Sequence, residues 1–236
     1  MGVINMNRIY SSLASPIAKQ HLQGLLEDNN NPTAYRDHMI ALGEILAQPV
    51  ANDLKQNNEQ DNVLVVSTAE DADFLQFGVT HTLQQQGINT KLAIFWNNHY
   101  QLPNKTSVAP IVHEFIQTGY ETTKNIVVVK SVISGSCVVR TNLLKLFETL
   151  KHVENVFIVS PVIYSQSEDN LKSEFPKEIS DKFQFIYLAK DNERDETGEV
   201  IPGIGGQVYD LLGLAKQPVL TGYIPQVVKR LAFSAN

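Results

Sequence analysis

Short apolar runs that alternate with helical patterns constrain the fold of this chain more than any other feature. The clearest run is 63–66, in which all four residues are apolar and three are valine. Such a run is typical of a strand that is covered on both faces. Similar runs occur at 126–129 and 156–159, and helical patterns lie between them. This alternation predicts an α/β fold, with a mostly parallel sheet and helices on both faces.

The rest of the chain fits this pattern. Residues 16–26 are predicted to form a short helix or an extended arm, and 33–50 a helix that Thr33 caps and that Pro49 bends or interrupts. Its apolar residues recur at helical spacing, namely Tyr35, Met39, Leu42, Leu46 and Val50. The other predicted elements are strands at 91–96 and 185–188, helices at 72–86, 141–150 and 168–175, and polar loops at 55–62 and 97–107.

Composition excludes several classes of protein. The chain has 236 residues, 43% of them hydrophobic, and no linker or repeat, which predicts a single domain over 1–236. The net charge of −6 argues against a nucleic-acid partner. No apolar run is long enough to span a membrane, and 1–12 lacks the features of a signal peptide. The single cysteine, Cys137, fits a reducing compartment, so a cytoplasmic protein is expected.

Three loops follow predicted strands and are the expected place for a ligand. They span 67–73, 130–138 and 191–206. In open α/β sheets, ligands bind beyond the carboxyl ends of the strands. The three loops are therefore expected to meet at one edge of the sheet.

The loop after the strand at 126–129 has the composition of an anion site. Backbone N–H groups and the positive end of a helix dipole suit a phosphate, and the predicted phosphate-binding residues are Lys130, Ser134, Gly135, Ser136 and Cys137. Arg140 adds a second cation nearby. The alternative is a plain strand-to-helix turn with serine as the cap, which composition alone favours. Cys137 is either a thiol with a lowered pKa at a helix start or a small packing residue.

Acidic residues cluster in the other two loops. Glu70, Asp71 and Asp73 follow the first buried strand. They could bind a metal or ribose hydroxyls, but charge at the start of the next helix is the favoured interpretation. A second acidic run, 191–196, is interpreted as a solvated turn. The six histidines lack the spacing of metal ligands, and no metal site is predicted.

The segment 199–206 follows this acidic run and contains Pro202 and three glycines. In their order and spacing, the features of the chain resemble the uracil phosphoribosyltransferase family along nearly its whole length. The resemblance is carried at the start by 15–17, 21–22, 25–26 and 35–54, which look like an N-terminal arm (about 1–32) and a first long helix. It is closest at 191–198 and 200–205, which together look like the uracil-recognition loop, with 211–213 following at the family spacing.

This resemblance implies a phosphoribosyltransferase-like fold with a small base-recognition hood at about 185–213. In the family, the recognition loop binds uracil largely through backbone groups. The base-binding residues that the resemblance implies here are Ile201, Gly203, Ile204, Gly205 and Gly206. A homodimer formed through the N-terminal arm is implied as well.

The half of the family pattern that binds phosphoribosyl diphosphate is altered at four places. Glu70 stands where the family has the arginine that holds diphosphate, and Lys130 where it has an aspartate that binds ribose. The flexible-loop tyrosine and lysine are replaced near 113–117, and two aspartates after the uracil loop are replaced at 206–209. These changes predict little or no synthesis of UMP.

Three functions are therefore expected, in order of preference. The first is a uracil phosphoribosyltransferase-like protein (a pseudoenzyme) that binds a nucleobase, a nucleotide or another phosphate-type anion, with impaired catalysis. The second is an active enzyme of pyrimidine salvage that makes UMP and diphosphate, with Mg²⁺ balancing the diphosphate charge. The third is a non-catalytic structural or regulatory dimer, against which the retained glycine loop argues.

Overall fold

The computed structural model describes residues 8–59, 62–103 and 106–233. The strands of this part of the chain are β1 (Arg8–Tyr10), β2 (Val63–Thr68), β3 (Thr90–Asn97), β4 (Tyr100–Gln101), β5 (Ser107–Val108), β6 (Ile111–Ile116), β7 (Asn125–Val129), β8 (Val132–Ile133), β9 (Asn155–Tyr164), β10 (Phe183–Asp191), β11 (Glu193–Arg194) and β12 (Val200–Ile201). The helices are α1 (Pro16–Glu27), α2 (Pro32–Gln56), α3 (Leu75–Gln85), α4 (Cys137–Phe147), α5 (Ser167–Ser173), α6 (Lys177–Ser180), α7 (Val208–Leu211), α8 (Pro218–Thr221) and α9 (Gln226–Phe233).

The main sheet is mixed but mostly parallel. Its strand order is β1-β10-β9-β7-β2-β3-β6, and β8 pairs with β9. The pairs β1/β10 and β3/β6 at the two edges are antiparallel, whereas the inner pairs are parallel. The predicted α/β fold class is confirmed. Short antiparallel pairs β4/β5 and β11/β12 lie outside this sheet.

Helices cover both faces of the sheet. Alternate residues of the inner strands enter two separate cores, because successive side chains of a strand point to opposite faces. Val63 and Val65 belong to the core that also contains residues of α1, α2 and α3, whereas Leu64 and Val66 belong to the core that contains residues of α4 and α5. This two-sided burial explains why the inner strands read as continuous apolar runs.

Helix α2 differs from its prediction in two respects. Asn31, not Thr33, is the N-cap, and its side-chain oxygen accepts a hydrogen bond from the Ala34 N–H. The helix also continues past Pro49 to Gln56, into the predicted loop 55–62. The residues after Pro49 that face the core, Val50 and Leu54, are fully buried. Their burial offsets the hydrogen bond that proline cannot make.

Two glycines allow α2 and α3 to pack closely. A Cβ atom at Gly43 would overlap the carbonyl oxygen of Leu75, and one at Gly78 would overlap that of Ile40. The backbones of the two helices therefore touch at this crossing. This contact fixes α3 against the sheet directly after the loop that follows β2.

Several boundaries also differ from the sequence predictions. Strand β6 was not predicted. It lies at the edge of the sheet and its side chains are exposed or half-buried, so its sequence lacks a buried apolar run. Helix α4 begins at Cys137, four residues before the predicted start at 141. Strand β10 runs on to Asp191. The N-terminal arm contains β1 and α1, and its residues 1–7 lie outside the described residues. In the described part of the chain, no helix has the length and apolar character needed to cross a membrane.

Candidate functional site

The three loops that follow the strands meet at one edge of the sheet, as predicted. Together they line a cleft of about 540 Å³. Thr68 and Glu70 contribute from the end of β2, and Lys130 and Gly135 contribute from the segment between β7 and α4. The third wall comes from the predicted hood. In the structure the hood consists of β11, β12, α7 and the segment 202–207 that joins β12 to α7. Ile204 of the hood faces the cleft.

A buried ion-pair cluster forms the floor of this cleft. The Lys130 Nζ atom lies 2.6 Å from the Asp71 Oδ2 atom and 3.2 Å from the Glu70 Oε1 atom. The three side chains are 12%, 1% and 7% exposed. Burial alone would lower the pKa of Lys130, but the carboxylates of Asp71 and Glu70 outweigh burial and raise that pKa. The lysine is therefore charged throughout the physiological range.

This cluster changes the interpretation of two sequence positions. In the sequence, Glu70 and Lys130 each stand in place of a functional residue of the family pattern. In the structure, the two side chains form an ion pair with each other. The favoured interpretation of Glu70 and Asp71 as charge at the next helix start is wrong, because α3 begins only at Leu75 and both carboxylates contact Lys130. Asp73 does serve a helix start, but it is that of α9, where it accepts backbone hydrogen bonds.

The ammonium group of Lys130 is fully occupied. Its three donors contact Glu70, Asp71 and the Ser131 hydroxyl, the last at 3.3 Å. A lysine ammonium has three donors in all. A phosphate ligand could bind Lys130 only if the ammonium left one of these partners.

The segment before α4 opens into the cleft, and phosphate binding by it stays a prediction. Ser134, Gly135 and Ser136 all line it, and a Cβ atom at Gly135 would meet no protein atom within 4 Å. The Ser136 hydroxyl does not cap the helix; it donates to the Glu174 carboxylate at 2.7 Å.

The cysteine at the start of α4 is not an activated thiol. Cys137 lines the cleft. Its pKa is raised, chiefly because the thiol is buried. The hydrogen bond from the Val138 N–H and the charge of Arg140 act in the opposite direction but do not outweigh burial. The small packing residue is therefore the better of the two interpretations of Cys137.

The glycine loop of the hood is anchored by buried groups. Arg8 of β1 binds Asp191 at the end of β10 through two hydrogen bonds of 2.8 and 2.7 Å. The Gly203 N–H donates to the Asp191 carboxylate at 2.9 Å, and the Gly203 carbonyl accepts from Arg8. Asp191 is thus fully buried and not part of a solvated turn, which corrects the sequence interpretation.

Several of the backbone groups that were predicted to bind a base are also engaged within the protein. The Ile204 carbonyl accepts from the Tyr35 hydroxyl at 2.9 Å, and the Gly205 N–H donates to the Pro202 carbonyl. A Cβ atom at Gly205 would lie 2.9 Å from the carbonyl oxygen of Leu25. Gly203 and Gly205 therefore position the loop against the arm and β10.

The five predicted base-binding residues thus divide into two groups. Ile204 and Gly206 line the cleft. Gly203 and Gly205 face α1 and β10 instead, and Ile201 is 41% exposed on β12. The geometry brings Ile204 and Gly206 together with Gly135 and Lys130 around one space. Base binding by this loop stays a prediction.

Other lining residues carried no sequence signal for a site. His99 follows β3, and its pKa is lowered by partial desolvation and by the nearby Lys130 charge. Tyr209 of α7 has a raised pKa, first because of burial and then because of Glu70. Arg194 lies 3.7 Å above the ring of Tyr164. A single tyrosine or histidine in a polar stretch gives no reason to select it.

The residues do not fit a protein-held Mg²⁺. A magnesium site needs carboxylate oxygens that are free to bind the ion. Glu70 and Asp71, the carboxylates at the end of β2, are both bound to Lys130. In the described ranges, no group of three His, Cys, Asp or Glu side chains has the arrangement of a metal site.

Comparison with known proteins gives a structural likeness without a sequence relative. No protein-family model and no curated protein sequence matches the chain. Among solved structures, the AQ2163 protein from Aquifex aeolicus is 14% identical, with a TM-score of 0.67, over 88% of this chain and 99% of that one. This likeness shows a shared fold along almost the full length of the Aquifex protein.

Phosphoribosyltransferases also occur among the similar structures, at lower similarity. The hypoxanthine-guanine phosphoribosyltransferase of L. donovani is 7% identical, with a TM-score of 0.46, over 68% of this chain and 81% of that one. The hypoxanthine phosphoribosyltransferase of Trypanosoma cruzi, in complex with IMP, is 10% identical, with a TM-score of 0.46, over 66% and 76%.

Proposed function

We propose that this chain is a phosphoribosyltransferase-like protein that binds a nucleobase or nucleotide in the cleft and does not transfer a phosphoribosyl group. The observation that carries this proposal is the ion-pair cluster of Lys130 with Glu70 and Asp71. It fills the end of β2 with carboxylates at the place where the family resemblance would put a diphosphate-binding cation. The uracil-type base is proposed from the resemblance of the segment 200–205.

The cluster opposes the diphosphate half of the reaction. Transfer from phosphoribosyl diphosphate requires stabilisation of the departing diphosphate by positive groups. Here Glu70 lies at the cleft floor, and Lys130 has all three donors engaged. A diphosphate brought to about 4 Å from a carboxylate meets a repulsion of roughly 1 to 4 kcal/mol per charge pair. The cleft therefore favours binding of the base end of a ligand over catalysis.

The open space of the cleft supports ligand binding. Its volume of about 540 Å³ lies in the range of small-molecule sites, roughly 300–1,000 Å³. The hood supplies apolar contact through Ile204 and Val208, and the segment before α4 supplies polar groups. A homodimer and a cytoplasmic location belong to the same proposal, which rests there on the family resemblance and the single cysteine.

An active uracil phosphoribosyltransferase is the second candidate. One observation favours it: the exchange of charge signs between positions 70 and 130 keeps one cation and one acid at the cleft floor. In that case Mg²⁺ would enter bound to the diphosphate of the substrate, because the carboxylates of the cleft floor are engaged.

Calorimetric titration of the full chain tests the proposal. Uracil, uridine, UMP and phosphoribosyl diphosphate are titrated with and without Mg²⁺, and UMP formation is measured in parallel. We expect binding of at least one of the first three ligands and no UMP formation. Turnover on the order of 1 s⁻¹, an ordinary enzyme rate, would establish the second candidate instead. Binding of none of the four ligands would refute both.

A further inference from the structure

The charges of the described residues that line the cleft are balanced between the two signs. Lys130, Arg140 and Arg194 supply the positive charges, and they are matched by three glutamates, Glu70, Glu174 and Glu199. Asp71, which contacts Lys130 from below the lining, adds one further negative charge. A site for a phosphate ester normally carries an excess of positive groups. Among its described lining residues, this cleft has no such excess.

Among these charged residues, Glu174 contacts both Ser136 and Arg140 at the start of α4. It follows α5 directly and reaches across to the start of α4. One carboxylate oxygen accepts from the Ser136 hydroxyl at 2.7 Å, and the other lies 3.5 Å from the Arg140 guanidinium. Ser136 of the predicted phosphate segment and the nearby Arg140 are thus already bound to a carboxylate of the chain itself.

We propose that Glu174 is a specificity-determining residue, which makes the cleft prefer an uncharged nucleobase or nucleoside to its 5′-phosphate. This inference rests on the proposed function and names its ligand class. A phosphate that approaches Ser136 and Arg140 must displace the carboxylate of Glu174 or bind beside it, against like-charge repulsion. An uncharged ligand leaves both contacts of Glu174 in place.

The test compares Glu174→Gln with a matched control in the full-length protein. Glutamine keeps an oxygen that can accept from Ser136 but removes the charge. Glu178→Gln removes the same charge from the neighbouring helix α6, which does not line the cleft. Inorganic phosphate, uridine and UMP are titrated into the wild type and both variants by calorimetry, and thermal melting confirms that the variants are folded.

The wild type is expected to bind uridine more tightly than UMP. Glu174→Gln should raise the affinity for UMP and phosphate by about three- to tenfold, because the removed charge is only partly screened by solvent. Its affinity for uridine should change by less than about twofold, within the scatter of a surface substitution. Glu178→Gln should change none of the three.

Two results would overturn the inference. One is an unchanged ratio of uridine to UMP affinity in Glu174→Gln, and the other is an equal gain in Glu178→Gln. If neither uridine nor UMP binds to the wild type or to either variant, the proposed function fails, while the phosphate titration still tests Glu174 separately. Phosphate that binds no more tightly to Glu174→Gln than to the wild type refutes the role of Glu174.

Discussion

Replacing Lys130 by methionine should strongly destabilise the protein. The substitution keeps a similar apolar stem but leaves Glu70 and Asp71 without their cation, and the two carboxylates are 7% and 1% exposed. Removing one partner of a buried ion pair typically costs about 3–5 kcal/mol, because the remaining charge stays desolvated. We expect a loss of this size in the free energy of unfolding, a large fraction of the roughly 5–15 kcal/mol of a typical domain.

Urea unfolding followed by circular dichroism at neutral pH gives the measurement. The matched control is Lys124→Met, since Lys124 pairs with Glu154 at the surface, with side chains 58% and 47% exposed. Solvent screens such a pair, and no measurable change is expected. The double variant Lys130→Met/Glu70→Gln should regain part of the loss, because it buries one carboxylate fewer.

The pH dependence of this stabilisation has a definite sign. The pKa of Lys130 is raised in the folded state, so its contribution is complete below the ordinary lysine pKa of about 10.4 and is lost as the pH rises through the folded pKa. In the wild type, the contribution of Lys130 to stability should therefore be the same at pH 6 and pH 8. A loss no larger than that of Lys124→Met would refute the reasoning.

Three further predictions concern the hood, the arm and the cleft. Arg8→Met should cost about 3–5 kcal/mol in urea unfolding, because it leaves the fully buried Asp191 unpaired; an unchanged midpoint contradicts this. The pKa of His21 is lowered by burial and by His38, so the contribution of uncharged His21 to stability is complete above pH ~6.5 and is lost as the pH drops through the folded pKa. His21→Gln should flatten this fall in the free energy of unfolding, measured between pH 5 and 7.5. Gly135→Val should weaken uridine binding at least about tenfold without lowering the melting temperature, because its side chain enters open cleft space; unchanged calorimetric affinity would place the ligand elsewhere.

The sheet could be predicted from the sequence because its inner strands are buried on both sides. Residues 63–66 and 126–129 are apolar at every position, which is the pattern of covered strands. Strand β6 could not be predicted, because its residues are mostly exposed or half-buried at the edge of the sheet. The continuation of α2 past Pro49 could not be predicted from local sequence either, because packing of the helix against distant residues stabilises it.

The location of the site could be predicted, but its internal contacts could not. The position of each loop after a strand was enough to bring 67–73 and 130–138 together. The contact between Glu70 and Lys130 joins residues 60 positions apart, and that between Arg8 and Asp191 joins residues 183 apart. A single sequence shows each of these charges alone, so Glu70 appears as a loss and Asp191 as a surface residue.

The exchange of signs between positions 70 and 130 separates the stability of the fold from the choice of ligand. The attraction between two opposite charges is the same whichever position carries the cation. The sheet edge can therefore be held together by Glu70 and Lys130 in this order as well as in the reverse. The interaction with a ligand phosphate does depend on this order, because the phosphate is attracted or repelled mainly by the charge that lies nearer to it. In the proposed function, the same pair that stabilises the cleft floor therefore also bears on whether the cleft accepts an anion, and its carboxylates, together with Glu174, would oppose one.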